Sequence, residues 1–235
     1  PLIFSTNLGS SIGHYKKNND VFAGPKYALI SDKFYNASFK NKNFKKKKII
    51  SHVLIQMGAI DSKNNIQKIL TVLKIYNRNI KHITVVLNKN APHFEKINNL
   101  LKAFDSSLLL EVKTISKMIN LYREHNLIIG AAGVSLLERV SLGIYHLAFS
   151  LNKNQDINLQ SFDKLKLGIS GGRIDKISKS DLNFILKKFI SENNSQYISN
   201  NSYNKIIDGR GSKRIIKIIN KETLEYFPKG AIITN

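Results

Sequence analysis

Between residues 49 and 192 the chain repeats one pattern: a short unbroken apolar run, a polar turn, then a stretch with apolar residues at every third or fourth position. Unbroken apolar runs mark strands covered on both faces, and the three-to-four spacing marks helices that bury one side. The pattern predicts strands at 49–57 (IISHVLIQM), 81–88, 107–112, 126–130, 145–150 and 165–169. Helices are expected at 63–76, about 92–104, 116–124, 135–143, about 155–165 and about 179–192. Parallel strands need a crossover between each pair, and a helix is the usual one. The alternation therefore sets the fold class: α/β, a Rossmann-like parallel sheet with helices on both faces.

The flanks are less regular. Residues 1–5 and 21–30 carry short apolar runs broken by Asn7, Gly9, Gly13, Gly24 and Pro25, which read as strands joined by turns. The run KNKNFKKKK at 40–48 reads as a solvated linker, with a nucleic-acid or membrane-surface contact as the alternative. The expected division is a segment and linker at 1–48, a ligand-binding domain at 49–220 and an extension at 221–235.

Composition narrows the function classes. A chain of 235 residues that is 42% apolar can bury a substantial core. It has no cysteine, so disulfides and thiolate metal sites are excluded. No apolar stretch reaches the roughly 20 residues of a membrane helix, and no signal peptide is visible, so a cytoplasmic protein without a membrane partner is expected. The formal charge is +21, but lysine is dispersed over polar faces, with one dense cluster that holds a single aromatic, Phe44. That dispersal argues against a nucleic-acid partner and suits an anionic small molecule.

Parallel sheets bind ligands at the carboxyl ends of their strands, where loops meet helix N-termini. After the first strand comes QMGAID (56–61), in which Gly58 and Ala59 keep the backbone bare and Asp61 is placed to cap the next helix. The run LIIGAAGVSLLERVSLG (127–143) holds a glycine–alanine loop, Gly130 to Gly133, then Val134 and Ser135 at a helix N-terminus where phosphate is favoured. Glu138 stands three residues after Ser135. That spacing allows a capping box, with the carboxylate bonding back to the serine backbone, and it equally allows an acceptor for the two vicinal hydroxyls of a ribose. Asn154 and Gln155 are adjacent amides that suit sugar recognition or, equally, a helix cap and surface. The six histidines are scattered without metal-ligand pairing, and no metal or cofactor is expected.

GPKYALISDKF (24–34), LIQMGAIDSKN (54–64), LIIGAAGVSLLERVSLG (127–143), KNQ (153–155) and IDGRGSKRI (207–215), in that order, resemble the UDP-sugar hydrolase family of pseudaminic acid biosynthesis. Its wider relatives are the spore-coat polysaccharide proteins and the GT-B glycosyltransferases. The resemblance implies a GT-B C-terminal lobe that binds UDP, with Gly58 and Ala59 near the nucleotide, although the family usually has glycine at the place of Ala59. It implies that Gly133, Val134 and Ser135 meet the diphosphate, that Glu138 takes the ribose hydroxyls, and that Asn154 and Gln155 lie near the sugar. The implied reaction is hydrolysis of the anomeric C–O bond of a UDP-diacetamido-trideoxy sugar, releasing UDP without a metal.

The family's general-base histidine belongs to a first lobe, and PLIFSTNLG resembles the passage out of that lobe. The catalytic residue is therefore expected outside this chain, in a missing or separately encoded lobe, and IGH at 12–14 is not assigned the role. A non-catalytic nucleotide-binding module and a GT-B glycosyltransferase relative are the alternatives.

Overall fold

A computed structural model describes residues 2–14, 20–39, 52–191 and 206–226. The lysine-rich run at 40–48 and most of the C-terminal extension lie outside the described residues. The chain opens with β1 (Leu2–Ser5) and β2 (Asp20–Ala23), which pair in parallel as a separate two-stranded sheet. After β2 the chain breaks at Gly24 and Pro25, as the sequence suggested, into a 3-10 turn at Pro25–Tyr27, since Pro25 has no N–H to give a ladder. Helix α1 (Asp32–Phe39), which the pattern did not reveal, follows.

All six expected strands then appear: β3 (His52–Gln56), β4 (His82–Val86), β5 (Ser107–Leu110), β6 (Leu127–Ala131), β7 (His146–Ser150) and β8 (Gly168–Arg173). They form one parallel sheet in the order β5-β4-β3-β6-β7-β8. The connecting helices are α2 (Asn65–Leu73), α3 (Phe94–Leu101), α4 (Ile115–Glu124), α5 (Val134–Ser141) and α6 (Lys153–Lys164), with α7 (Lys179–Ser191) after β8. This is the doubly wound order, in which the winding reverses between the first and fourth strands, here β3 and β6.

The period-2 strand geometry divides the core cleanly. Val53 and Ile55 face one layer with α2, α3 and α7, whereas Leu54 faces the other with α1, α4, α5 and α6. Strand β8 begins three residues later than the pattern suggested. Helix α6 runs on to Lys164, and Lys166 turns the chain with a positive φ of 54°. Gly168 and Gly171 then let β8 lie close to its neighbour, since a side chain at either would strike His146 O or Phe149 at 2.2 and 2.1 Å.

The DGRG turn leads into α8 (Gly211–Tyr226), which continues through residue 220. Arg214 pairs with Asp208 and donates to Lys26 O at 2.8 Å, tying this helix to the N-terminal segment. Arg210 stands 5.9 Å from the Tyr35 ring and outside the cleft described below. No helix among the described residues is long and apolar enough to cross a membrane.

Candidate functional site

The reversal between β3 and β6 opens a cleft of about 540 Å³ at the carboxyl ends of the strands. Seven of the eight site residues singled out from the sequence line it: Gly58, Ala59, Gly133, Val134, Ser135, Glu138 and Gln155. Asn154 does not. It is exposed on α6, because adjacent helical residues point about 100° apart and Gln155 is the one turned inward.

The two glycine-bearing loops do different work. Gly58 has φ +90°, a backbone that side chains resist, and the loop is pinned where Asn88 N donates to Ala59 O at 2.8 Å. Beyond it, the Asp61 carboxylate accepts from Asn65 N at 2.9 Å and Ile66 N at 2.8 Å. The N-terminus of α2 is thus filled by the chain's own acid, and the cap expected at Asp61 is formed. Burial pushes this carboxyl up, against the pull of the Ile66 and Asn65 donors.

The N-terminus of α5 is different. Its N-cap is Gly133, which has no side chain to satisfy the first-turn N–H groups, so those of Val134 and Ser135 are left for a ligand. Gln155 Oε1 accepts from Leu151 N at 3.1 Å, and its Nε2 lies so near Gly133 that an added Cβ would stand 3.2 Å away. Gly130, read from sequence as open to a ligand, is buried in β6. The space of its missing side chain holds the Arg139 guanidinium, 2.6–2.8 Å from where a Cβ would stand.

Glu138 lies half-buried on the cleft wall. Because α5 starts at Val134, Glu138 is the fifth helical residue and misses the capping-box position. Its Oε2 instead lies 3.5 Å from the Tyr122 hydroxyl. Burial raises its carboxyl above the usual range, while the neighbouring Arg139 charge and the Tyr122 hydroxyl pull it down.

Beneath it lies a polar cluster that sequence reasoning missed. Arg139 is fully buried, and its Nη1 donates to Gln56 Oε1 at 3.1 Å and its Nη2 to Ala131 O at 2.7 Å. Tyr122 OH donates to the same Gln56 Oε1 at 2.6 Å. The remaining wall is apolar, from Phe34, Val86, Val112, Ile115 and Met118, and Lys113 at the rim is paired with Glu111 at 3.4 Å. The cleft thus joins a helix N-terminus without a side-chain cap, which favours an anion, with a carboxylate acceptor and an apolar wall.

At the opposite end of the sheet the structure gathers three histidines that are far apart in sequence. The rings of His52, His82 and His125 lie 5.7–6.3 Å apart. His125 Nδ1 must donate to Leu121 O (2.7 Å), so its Nε2 accepts from Thr84 Oγ1 (2.8 Å). Thr84 Oγ1 in turn accepts from His82 Nε2 at 3.1 Å, which leaves His82 Nδ1 to accept from Ser106 Oγ at 2.7 Å. Among the described residues no group of three His, Asp or Glu side chains is placed to hold a metal ion.

No protein-family model matches the chain. Two curated relatives match by sequence. An uncharacterized protein of Methanocaldococcus jannaschii is 28% identical over 217 residues, covering 87% of this chain and 42% of the relative. The spore coat polysaccharide biosynthesis protein SpsG of Bacillus subtilis is 21% identical over 203 residues, covering 86% and 58%. The chain thus spans about half the length of the curated relatives it matches.

Among solved structures, MurG of Acinetobacter baumannii superimposes with a TM-score of 0.64 at 14% identity, over 94% of this chain and 67% of that one. The UDP-GlcNAc 2-epimerase of Neisseria meningitidis, bound to UDP-GlcNAc, gives 0.55 at 17% identity, over 80% and 49%. The MnaA–UDP structure of S. aureus gives 0.57 at 15% identity, over 83% and 52%. These likenesses establish the fold as a Rossmann-like lobe of the kind found in GT-B glycosyltransferases and epimerases.

Proposed function

We propose that this chain is the nucleotide-binding lobe of an enzyme acting on a UDP-sugar, and that the activity of the complete protein is hydrolysis of the sugar's anomeric C–O bond. The observation that carries the reading is the convergence on one cleft of seven residues chosen from the sequence, including the uncapped start of α5 and the Glu138 carboxylate. Two of the structurally similar proteins hold UDP or UDP-GlcNAc, and one sequence relative serves spore coat polysaccharide biosynthesis, which supports the ligand class.

Each part of the ligand has a matching feature. The N–H groups of Val134 and Ser135 take the diphosphate, Glu138 accepts from both ribose hydroxyls, and the wall of Val86, Val112 and Met118 packs against the base. Gln155, with its amide nitrogen beside Gly133, reaches toward the sugar end. When water attacks the anomeric carbon and the C–O bond breaks, negative charge grows on the departing diphosphate. The α5 N-terminus is placed to stabilise that charge, so the lobe's share of the reaction is leaving-group stabilisation. Water activation belongs to residues contributed by the rest of the protein.

Calorimetric titration with UDP, ADP as control and a Glu138→Ala variant tests the reading. The expected result is binding that prefers UDP and weakens at least about tenfold in the variant, as for loss of a charged hydrogen-bond acceptor. A folded chain that ignores UDP, or a variant that binds it unchanged, would refute the assignment.

A further inference from the structure

Gln56 was not singled out by its sequence context, yet the structure fixes both its position and its orientation. It ends β3 on the floor of the cleft, beside the point where the winding of the sheet reverses. Its side-chain oxygen accepts from two interior donors, Arg139 Nη1 at 3.1 Å and Tyr122 OH at 2.6 Å. A guanidinium can only donate, so the atom facing it must be the amide oxygen, and flipping the amide would set N–H against N–H inside the core. Both lone pairs of the oxygen are therefore taken.

The amide nitrogen has only a weak partner, the Met118 sulfur at 3.8 Å, and Met118 itself lines the cleft. The Tyr122 hydroxyl that holds the Gln56 oxygen also stands 3.5 Å from Glu138 Oε2, so the Gln56 amide oxygen and the Glu138 carboxylate share one hydroxyl between them, and both side chains line the cleft.

Resting on the nucleotide reading above, we infer that Gln56 is a specificity-determining residue that works as a fixed donor beside the Glu138 acceptor. A ribose hydroxyl both gives and takes a hydrogen bond. Glu138 accepts its proton, and Gln56 Nε2 donates to its oxygen. A ligand that lacks the hydroxyl leaves both groups short of a partner, and sites of this kind discriminate through the unpaired polar groups that remain. Arg139 and Tyr122 are positioning residues that act through Gln56, and the absent side chain of Gly130 makes the room Arg139 needs.

The test compares UDP with 2′-deoxy-UDP and 3′-deoxy-UDP in the wild-type chain, Glu138→Ala and Gln56→Glu. Gln56→Glu keeps an oxygen facing Arg139 and Tyr122 and replaces the donor with a second acceptor oxygen. Its added charge meets the same diphosphate in all three ligands, so the ratio of affinities is the readout. We expect the wild-type preference for UDP over the better deoxy analogue to shrink about three- to tenfold in Gln56→Glu, the worth of one hydrogen bond.

A second arm uses the wild-type chain alone: by NMR, the Gln56 side-chain amide resonances should move on addition of UDP and stay in place with 2′,3′-dideoxy-UDP. If UDP binds and Glu138→Ala weakens it, while Gln56→Glu keeps the wild-type ratios or the amide resonances ignore UDP, this inference fails and the proposed function stands. If the folded wild-type chain binds no UDP, the proposed function fails and takes the inference with it.

Discussion

Replacing Gly130 by alanine and, separately, Gly133 by alanine should have opposite consequences, although the two glycines lie three residues apart in one loop-like motif. At Gly130 the new Cβ would stand 2.6, 2.7 and 2.8 Å from Nη1, Cζ and Nη2 of Arg139, where ordinary contact begins near 3.4 Å. The guanidinium is fully buried, so it must retreat by roughly 0.7 Å against close-packed neighbours. That retreat stretches its hydrogen bonds to Gln56 Oε1 and Ala131 O.

Overpacking costs about 1–3 kcal/mol and a hydrogen bond from a charged donor about 1.5–3 kcal/mol, whereas Gly→Ala returns about 0.4–1 kcal/mol through the unfolded chain. The net loss expected is about 2–4 kcal/mol, a fall in Tm of about 5–15 °C at this size. At Gly133 the added Cβ meets only the Gln155 amide, Nε2 at 3.2 Å and Cδ at 3.9 Å, and φ is an ordinary −85°. Stability there should change by less than about 1 kcal/mol, while UDP affinity falls because the Cβ enters the cleft. Urea denaturation of both variants and calorimetry of Gly133→Ala provide the readings. Stability of Gly130→Ala within about 0.5 kcal/mol of wild type would show that the glycine does not serve the guanidinium, and the account of Gln56 orientation would lose its base.

Other outcomes follow from the same geometry. UDP affinity should weaken as pH falls toward the raised range of Glu138, since the bound state needs the ionised carboxylate and protons compete with the ligand; titration from pH 8 to pH 5 checks this, and a flat profile would count against it. His82 and fully buried His146 are both held below the ordinary histidine value, by burial first, with His52 adding for His82 and Arg139 for His146. The unfolded chain therefore binds more protons once pH drops below about 6.5, and stability should decline there, by up to about 1.4 kcal/mol per pH unit for His146; equal denaturation midpoints at pH 7.5 and 5.5 would refute it. Asp61→Ala should cost about 1–2 kcal/mol through loss of the α2 cap and leave UDP affinity unchanged; lost affinity would move the phosphate site to α2. Thr84→Val, which breaks the histidine chain at its middle, should cost about 1–3 kcal/mol by urea denaturation, with Thr84→Ser near neutral; the reverse order would mean the hydroxyl is not the bridge.

The sheet was legible because its strands are buried on both faces, so that each reads as an apolar run without help from its neighbours. Segments whose conformation depends on distant contacts were not. Strand β8 has the sequence GISGGR, and it is a strand only because His146 and Phe149 lie where its glycines give way. The cleft divided in the same way. Gly58, Ser135 and Glu138 announced themselves by position beside strand ends and helix starts. Gln56, Tyr122 and Arg139 did not, since their importance comes from meeting one another across β3, α4 and α5. Glutamine at a strand end has no signature of its own. The one available signal was an arginine inside an apolar helix face, at position 139, which had to find an acceptor somewhere in the interior.

The strand order has a consequence for how the chain comes to function. The floor of the cleft lies between β3 and β6, which pair with Val53 opposite Leu127, yet β4 and β5 and the helices around them intervene in sequence. A chain emerging from the ribosome completes β3 well before β6 and must hold its exposed edge open through that whole excursion. The cleft is therefore absent from every partly folded intermediate that lacks β6, and ligand can reward only the finished sheet, acting late on the folding route as a brake on unfolding more than as a guide to collapse.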